Sequence, residues 1–299
     1  MGCDPGPGIR DLCPGDSLFR MADHVARPPV RVCRWHSAVL LGLHANERVA
    51  GFRAGQKNPA RIRQTAARKI QQTLIPQELE PPPNYEIEAH YQPFRDVGGD
   101  YFDVIALPGA YTLIALADVS GKGMAAALLS ANIQALVRSI SSAGAEPYAL
   151  AKRINEHLSR HTPLGIFATA VFLLLNRDSG ELRYVNAGHN APIIFGHRVI
   201  KLLEATGLPL ALFNDAEYEA RTAQLDRGNS LLLFTDGLTD AIAGDDPEGR
   251  LRATLEGDTE KTMLRLQALV DSKLNRDDVT IVLVARLPPG RANRNWVRD

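Results

Sequence analysis

The sequence predicts an α+β protein: an antiparallel β-sandwich with helices stacked outside it. Three observations predict this. Strand-like runs are many and mostly joined by short turns, which favours antiparallel neighbours. The two core-type helical segments follow each other directly, so the βαβα alternation of a doubly wound sheet is absent. Apolar residues make up 45% of the 299, enough for a sizeable core.

The elements come in this order. Residues 1–58 are rich in Gly, Pro and Arg and show turn chemistry with little periodicity. They are expected to be a poorly ordered segment or the remnant of an upstream module. Their arginines would suit a phosphate-rich partner, but a solvated tail is the simpler expectation. In "ARIRQTAARKIQQTLIP", Ile62, Ala66, Ile70 and Leu74 recur every four residues, a narrow apolar stripe on a linker helix over 59–80. Pro76 ends the helix, and "PPPN" at 81–84 is a stiff joint. A stripe this narrow suits one partner helix, which a second copy could supply as a homodimer through 60–79.

From Tyr85 the texture changes. "YEIEAHYQ" alternates at period two, a half-buried strand. "DYFDVIAL" and "YTLIALAD" form a hairpin through "PGA". "GMAAALLSANIQALVRSI" is a well-buried helix, and "EPYALAKRINEHLSRH" is an amphipathic one. "FATAVFLLLN", "GELRYVNA", "APIIFG" and "RVIKLLE" read as strands, and "SLLLFTDG" as a strand ending in a turn. A short helix is expected over 260–274. "DVTIVLVARL" is the last strand, and 289–299 is a tail.

Composition narrows the function. Lys plus Arg and Asp plus Glu both number 34, so no global field argues for nucleic acid. No run approaches the roughly 18 apolar residues of a membrane span, and no secretory leader is evident. Cys3, Cys13 and Cys33 are odd in number and lack paired spacing. A reducing, cytoplasmic setting is therefore expected.

The chemistry-bearing pattern is a set of acids at strand boundaries. Asp100 follows Gly98 and Gly99. Asp118 ends one apolar strand and precedes Val119 and "SGKG". Asp236 ends another and precedes Gly237. Asp277 and Asp278 open the last strand. Taken singly, each reads as Asp-Gly turn chemistry. Together, if the strand ends share one rim, they place four or five carboxylates side by side. Uncompensated, these would repel and protonate, and divalent cations remove that penalty. No Cys or local His-x-x-x-His accompanies them, so an all-oxygen set suits Mg²⁺ or Mn²⁺ over zinc. Two such ions about 3.5–4 Å apart can activate water and bind phosphoryl oxygens. Hydrolysis of a phosphate ester is the expected reaction. The G-x-S-x-G elbow and the P-loop are absent.

At "VGGDYFDV", "LADVSGKGMAAALLSA", "FATAVFLLLNRDSGELRYVNAGHNAPIIF", "GLPLAL", "LLLFTDGLTDA" and "RDDVTIVLVAR" the chain resembles the metal-dependent, PPM-type serine/threonine phosphatases, and more closely their bacterial SpoIIE/RsbU-like branch. The motifs keep the family's order over about 60–287. The resemblance implies helices on both outer faces of the sandwich (αββα), a phosphatase domain over 81–288 and a two-metal site at one end. It implies that Asp118 bridges both ions and that the Val119 carbonyl completes one sphere. Asp236 and Asp277 bind the second ion, and Asp100 serves the same site. Asp278 fills the position after the ligand, as a helper that could exchange with Asp277. Asp103 is either a metal residue or a structural hydrogen-bonder. Arg95 and Lys122 are candidates for substrate phosphate. His189 is a tempting proton donor but is expected to pack or fix its loop. Gly98, Gly99, Gly121, Gly123 and Gly237 shape the backbone.

The chain departs from the pattern in a shortened stretch between Asp236 and Asp277, where "PEGRL" replaces a phenylalanine-glycine pair. The expected substrate is a phosphoserine or phosphothreonine on a regulator such as a STAS-type anti-sigma-factor antagonist. The helix at 60–79 resembles the linker of this branch, which implies that its packing would position the metal acids. The competing expectations are an inactive scaffold and a hydrolase of small phosphate esters.

Overall fold

The computed structural model describes residues 59–76, 78–142, 146–197, 199–255, 261–270 and 275–290. The expectations for 1–58, including its three cysteines, and for 291–299 lie outside these residues.

Two five-stranded antiparallel sheets stack face to face. One has the order β1 (Tyr85–Gln92), β10 (Val279–Arg286), β9 (Ser230–Phe234), β6 (Ile193–Gly196), β7 (Val199–Leu202). The other has the order β2 (Tyr101–Ala106), β3 (Tyr111–Val119), β4 (Ala168–Asn176), β5 (Glu181–Ala187), β8 (Arg221–Gln224). Helices α2 (Met124–Ser141) and α3 (Pro147–His161) cover the outer face of the β2–β8 sheet. Helices α4 (Asp236–Asp240), α5 (Pro247–Leu255) and α6 (Thr262–Leu269) cover the other.

The near-continuous apolar runs follow from this layering. In β3, Ile114 and Leu116 point between the sheets, while Leu113, Ala115 and Ala117 face α2 and α3. A strand covered on both faces has no polar side to spare. On β10, Val282 and Val284 face inward while Ile281 and Leu283 meet α4–α6. Edge strand β1 differs. Ile87 packs inward, whereas Glu86 and Glu88 alternate outward, as its period-two pattern requires.

Helix α2 is long and apolar enough to cross a membrane by composition, contrary to the expectation from run length. Its Ala126, Ile133 and Val137 are spent on the sheet and α3. Pro147 opens α3 at a position where its missing N–H costs nothing.

Three short elements depart from the sequence reading. Asp236 starts a five-residue helix, where a simple turn was expected. Helix α5 and strand β8 were not anticipated. The linker helix α1 (Pro59–Leu74) does not lay its whole apolar stripe on the domain. Ala66 and Ile70 are exposed, Ile70 at 64%, and α1 meets the domain through Gln71 and Leu74 instead.

Asp103 proves structural. It is 1% exposed on β2 and accepts from Arg138 of α2 at both oxygens, Nε–Oδ2 at 2.7 Å and Nη2–Oδ1 at 3.0 Å. Tyr101 donates to Oδ2 as well, at 3.2 Å. This fork-to-fork pair pins α2 against β2. Arg138→Leu strands a buried carboxylate and should cost about 2 kcal/mol in urea denaturation. Adding Asp103→Asn should recover part of that loss, because the two residues act on one contact.

Candidate metal centre

The acids predicted from sequence come from both sheets and meet at one end of the sandwich. β2 and β3 run antiparallel with Tyr101 opposite Ala117, so the next pair outward is Asp100 and Asp118. In the facing sheet, β9 ends at Phe234 where β10 begins. The Thr235 N–H donates to the Thr280 carbonyl at 3.1 Å, which sets Asp236 beside Asp277 and Asp278. A hydroxyl contact then joins the sheets: Thr280 Oγ1 donates to Asp100 Oδ2 at 2.5 Å.

The protonation behaviour shows the crowding. Burial and then the charge of Asp118 push the Asp100 carboxyl well up. Burial, then Asp236 and Asp277, push Asp118 up to about 7, and its hydrogen bond with Asp100 offsets part of the rise. Asp236 reaches the surface, yet partial burial and Asp277 raise it too. These acids feel one another, as the shared rim requires.

The remaining sequence candidates divide. Asp278, expected beside the ligands as a metal helper, has both oxygens committed elsewhere. Oδ1 accepts from the Phe94 N–H at 2.7 Å and Oδ2 from the Gly99 N–H at 2.6 Å. Asp278 thereby latches the 94–99 loop. Val119 lies 1% exposed at the end of β3, with its carbonyl packed on Gly99. A Cβ on Gly98 would come within 2.3 Å of the Tyr91 hydroxyl, and one on Gly237 within 2.0 Å of the Asp278 carbonyl. Glycine is required at both places by close approach.

Lys122 forms an ion pair with Asp277, Nζ–Oδ2 at 2.5 Å, donates to the Arg276 carbonyl, and stands 5.3 Å from the Phe94 ring centre. Arg95 lies over the same ring at 5.9 Å. The two cations thus share one aromatic platform at the mouth of the site. His189 is buried below. Its Nδ1 is 2.8 Å from Thr169 Oγ1, and Asn186 fastens its backbone. Burial pushes its imidazole down to about 4, so it stays neutral at neutral pH and serves as a packing group.

Three features were not read from sequence. Thr235 and Thr280 sit inside the quoted motifs as ordinary-looking hydroxyls. Gln71 of α1 donates to the Gly98 carbonyl at 2.6 Å and accepts from the Gly98 N–H at 3.0 Å. Its only sequence signal was a polar residue on a helix.

The donor set fits a hard cation in kind, being carboxylate and carbonyl oxygen throughout. The mutually raised carboxyls are the groups whose penalty a divalent ion removes. The Tyr91 hydroxyl is buried beside them without a hydrogen-bond partner among the described residues. As placed, no three His, Cys, Asp or Glu side chains among the described residues stand at ligand spacing. Lys122 draws Asp277 to itself, and Asp278 is held by backbone amides.

Comparison with known proteins adds to this. The family described as Stage II sporulation protein E (SpoIIE) matches residues 108–287. Phosphoserine phosphatase RsbU of Bacillus subtilis is 29% identical over 176 residues, covering 58% of this chain and 52% of that protein. The RsbU and RsbW domains of a Mycobacterium tuberculosis protein superpose with a TM-score of 0.62 at 25% identity, covering 71% of this chain and 62% of that one. RsbX, solved in complex with magnesium, superposes with a TM-score of 0.57 at 22% identity over 69% of this chain and 98% of its own. The chain spans about half the length of the curated relatives it matches.

The raised carboxyls predict an unusual pH response. The folded chain holds protons that the unfolded chain has already released above pH of about 4. In EDTA the melting temperature should therefore fall by about 4 °C or more from pH 5 to pH 8, and Mn²⁺ should restore it. A flat or rising profile would mean the acids do not share one rim.

Proposed function

The chain belongs to the SpoIIE family, and from that premise we propose that it is a metal-dependent serine/threonine phosphoprotein phosphatase. One observation carries the reading: acids from four strand ends and both sheets converge on one rim, in the order of the family's motifs.

In this reading Asp118 and the Val119 carbonyl would help to hold two Mn²⁺ or Mg²⁺ ions. Asp236, Asp277 and Asp100 would hold ions at the same centre. The bound ions would supply positive charge to the phosphoryl oxygens and acidify the attacking water. Lys122 and Arg95, gathered on Phe94, supply further positive charge where a substrate phosphate would enter. Lys122 is paired to Asp277, so it stands where it would share that carboxylate with a cation and offer its ammonium to a phosphate.

The substrate in this reading is a phosphoserine or phosphothreonine on a protein regulator; the relative RsbU is a phosphoserine phosphatase. A STAS-type antagonist of an anti-sigma factor, met in the cytoplasm, is the specific proposal. Control enters through α1. Gln71 grips both backbone polar groups of Gly98, two residues before Asp100, so a shift of α1 moves a metal acid directly. The exposed Ala66 and Ile70 provide the face for a second copy, which light scattering of Ile70→Glu would test against the native chain.

The deciding assay follows phosphate release from a phosphoserine protein and from p-nitrophenyl phosphate, with Mn²⁺ and with EDTA. Asp118→Asn should lower Mn²⁺-dependent turnover by about a hundredfold or more, at least the loss typical of a disturbed metal shell. Absence of turnover with any divalent ion would leave a scaffold, and turnover confined to the small ester would leave a general esterase. Gln71→Ala should keep the fold and raise the Mn²⁺ concentration needed for half-maximal rate by about tenfold. An unchanged requirement would remove α1 from the control of the site.

A further inference from the structure

Asp100 is held unlike the other acids. Its carboxylate is 2% exposed, and one oxygen, Oδ2, accepts from two hydroxyls of the opposite sheet. Thr280 Oγ1 donates at 2.5 Å and Thr235 Oγ1 at 2.9 Å. Both threonines are 0% exposed. Each hydroxyl has a single proton to give. For Thr235 the alternative acceptor is the Asp278 carbonyl at 3.3 Å, a longer contact than the one to Asp100. The Thr235 hydroxyl also accepts from the Thr280 N–H at 3.0 Å, so the two threonines fix one another.

The main chain of Asp100 is fastened as well. Ser130 of α2 donates to its carbonyl at 3.1 Å, and the preceding Gly99 N–H is held by Asp278. With the backbone pinned and both lone pairs of Oδ2 occupied, the carboxylate cannot rotate freely. Neither threonine engages Oδ1.

We propose that Thr235 and Thr280 are a paired positioning device that aims Asp100 at the metal centre, so that the hydroxyls of one sheet set the cation affinity of an acid carried by the other. The inference rests on the metal-dependent reading above and deepens it. Neither threonine touches metal or substrate; each acts through Asp100. The chemistry is that of outer-sphere support. A buried carboxylate deprived of a donor loses the contact that fixes its orientation. A carboxylate free to turn is no longer preset for a cation.

Mn²⁺ binding to the full chain, measured by isothermal titration calorimetry without substrate, tests this. Thr280→Val keeps the shape and removes the donor. It should weaken Mn²⁺ binding about tenfold or more, the size expected for loss of an outer-shell partner. Thr280→Ser keeps the donor and should bind as the native chain does. In an Asp100→Asn background, Thr280→Val should cause no further loss, since the hydroxyl acts only through that carboxylate. Circular dichroism in EDTA checks that each variant is folded. Should Thr280→Val not fold, Thr235→Val and Thr280→Ser carry the comparison: the first must weaken Mn²⁺ and the second must not. Native affinity in a folded valine variant, or an equal loss in the Asp100→Asn background, overturns the proposal. A native chain that binds no Mn²⁺ overturns the metal-dependent reading itself, and the proposal with it.

Discussion

Mutual repulsion among carboxylates at one end of the sandwich is the constraint around which the rest of this molecule is arranged. Two unit charges 4 Å apart near a protein surface repel by about 4 kcal/mol. Asp100, Asp118, Asp236 and Asp277 answer to one another across that rim. No apolar packing can relieve such a cost. The fold instead surrounds the acids with donors and one ammonium: two threonine hydroxyls on Asp100, backbone amides on Asp278, and Lys122 on Asp277. The acids are held in place by groups that cannot neutralise all of them, and a site of this kind has a standing demand for cations.

The sandwich supplies rigidity on both sides of that demand. Each sheet is packed between an inter-sheet core and a helical layer, so the strand ends cannot drift apart to ease the repulsion. Helix α2 ties into the same region three times. Ser130 holds the Asp100 backbone, Arg138 holds Asp103 on β2, and Gln134 donates to the Leu74 carbonyl of α1. Through Gln71, α1 reaches the glycine pair before Asp100. Gly98 has no side chain to buffer that contact, so a displacement of the helix passes straight to the backbone that carries the acid. Helix α1 and the acidic rim are thereby joined through Gln71.

Much of this was legible in the chain. The β2–β3 hairpin, the buried α2 and the amphipathic α3 follow from apolar periodicity and turn residues, and the structure has them where the pattern puts them. Strand β8 left little trace, because in "RTAQ" only Ala223 is buried. Helix α4 is five residues long and begins with Asp-Gly, which reads as a turn. Helix α5 buries only Leu251 and Leu255. The stripe on α1 is a different case. Its apolar residues Ala66 and Ile70 face away from the domain, while a glutamine makes the anchoring contact. Periodicity reports which face is apolar, not which neighbour it meets.

The sequence by itself determined the layered α+β architecture and the identity of the acids, because runs of apolar residues and Asp-Gly boundaries are local properties of the chain. Tertiary structure alone decided what each acid does. Asp277 and Asp278 are adjacent and chemically identical, yet one pairs with a lysine at the rim and the other latches a loop. Asp103 resembles Asp100 in sequence but is consumed by Arg138, 35 residues away. The physical reason is that a carboxylate's role is set by the donors and charges within a few ångströms of it, and at this site those neighbours arrive from other strands and helices, far away along the chain.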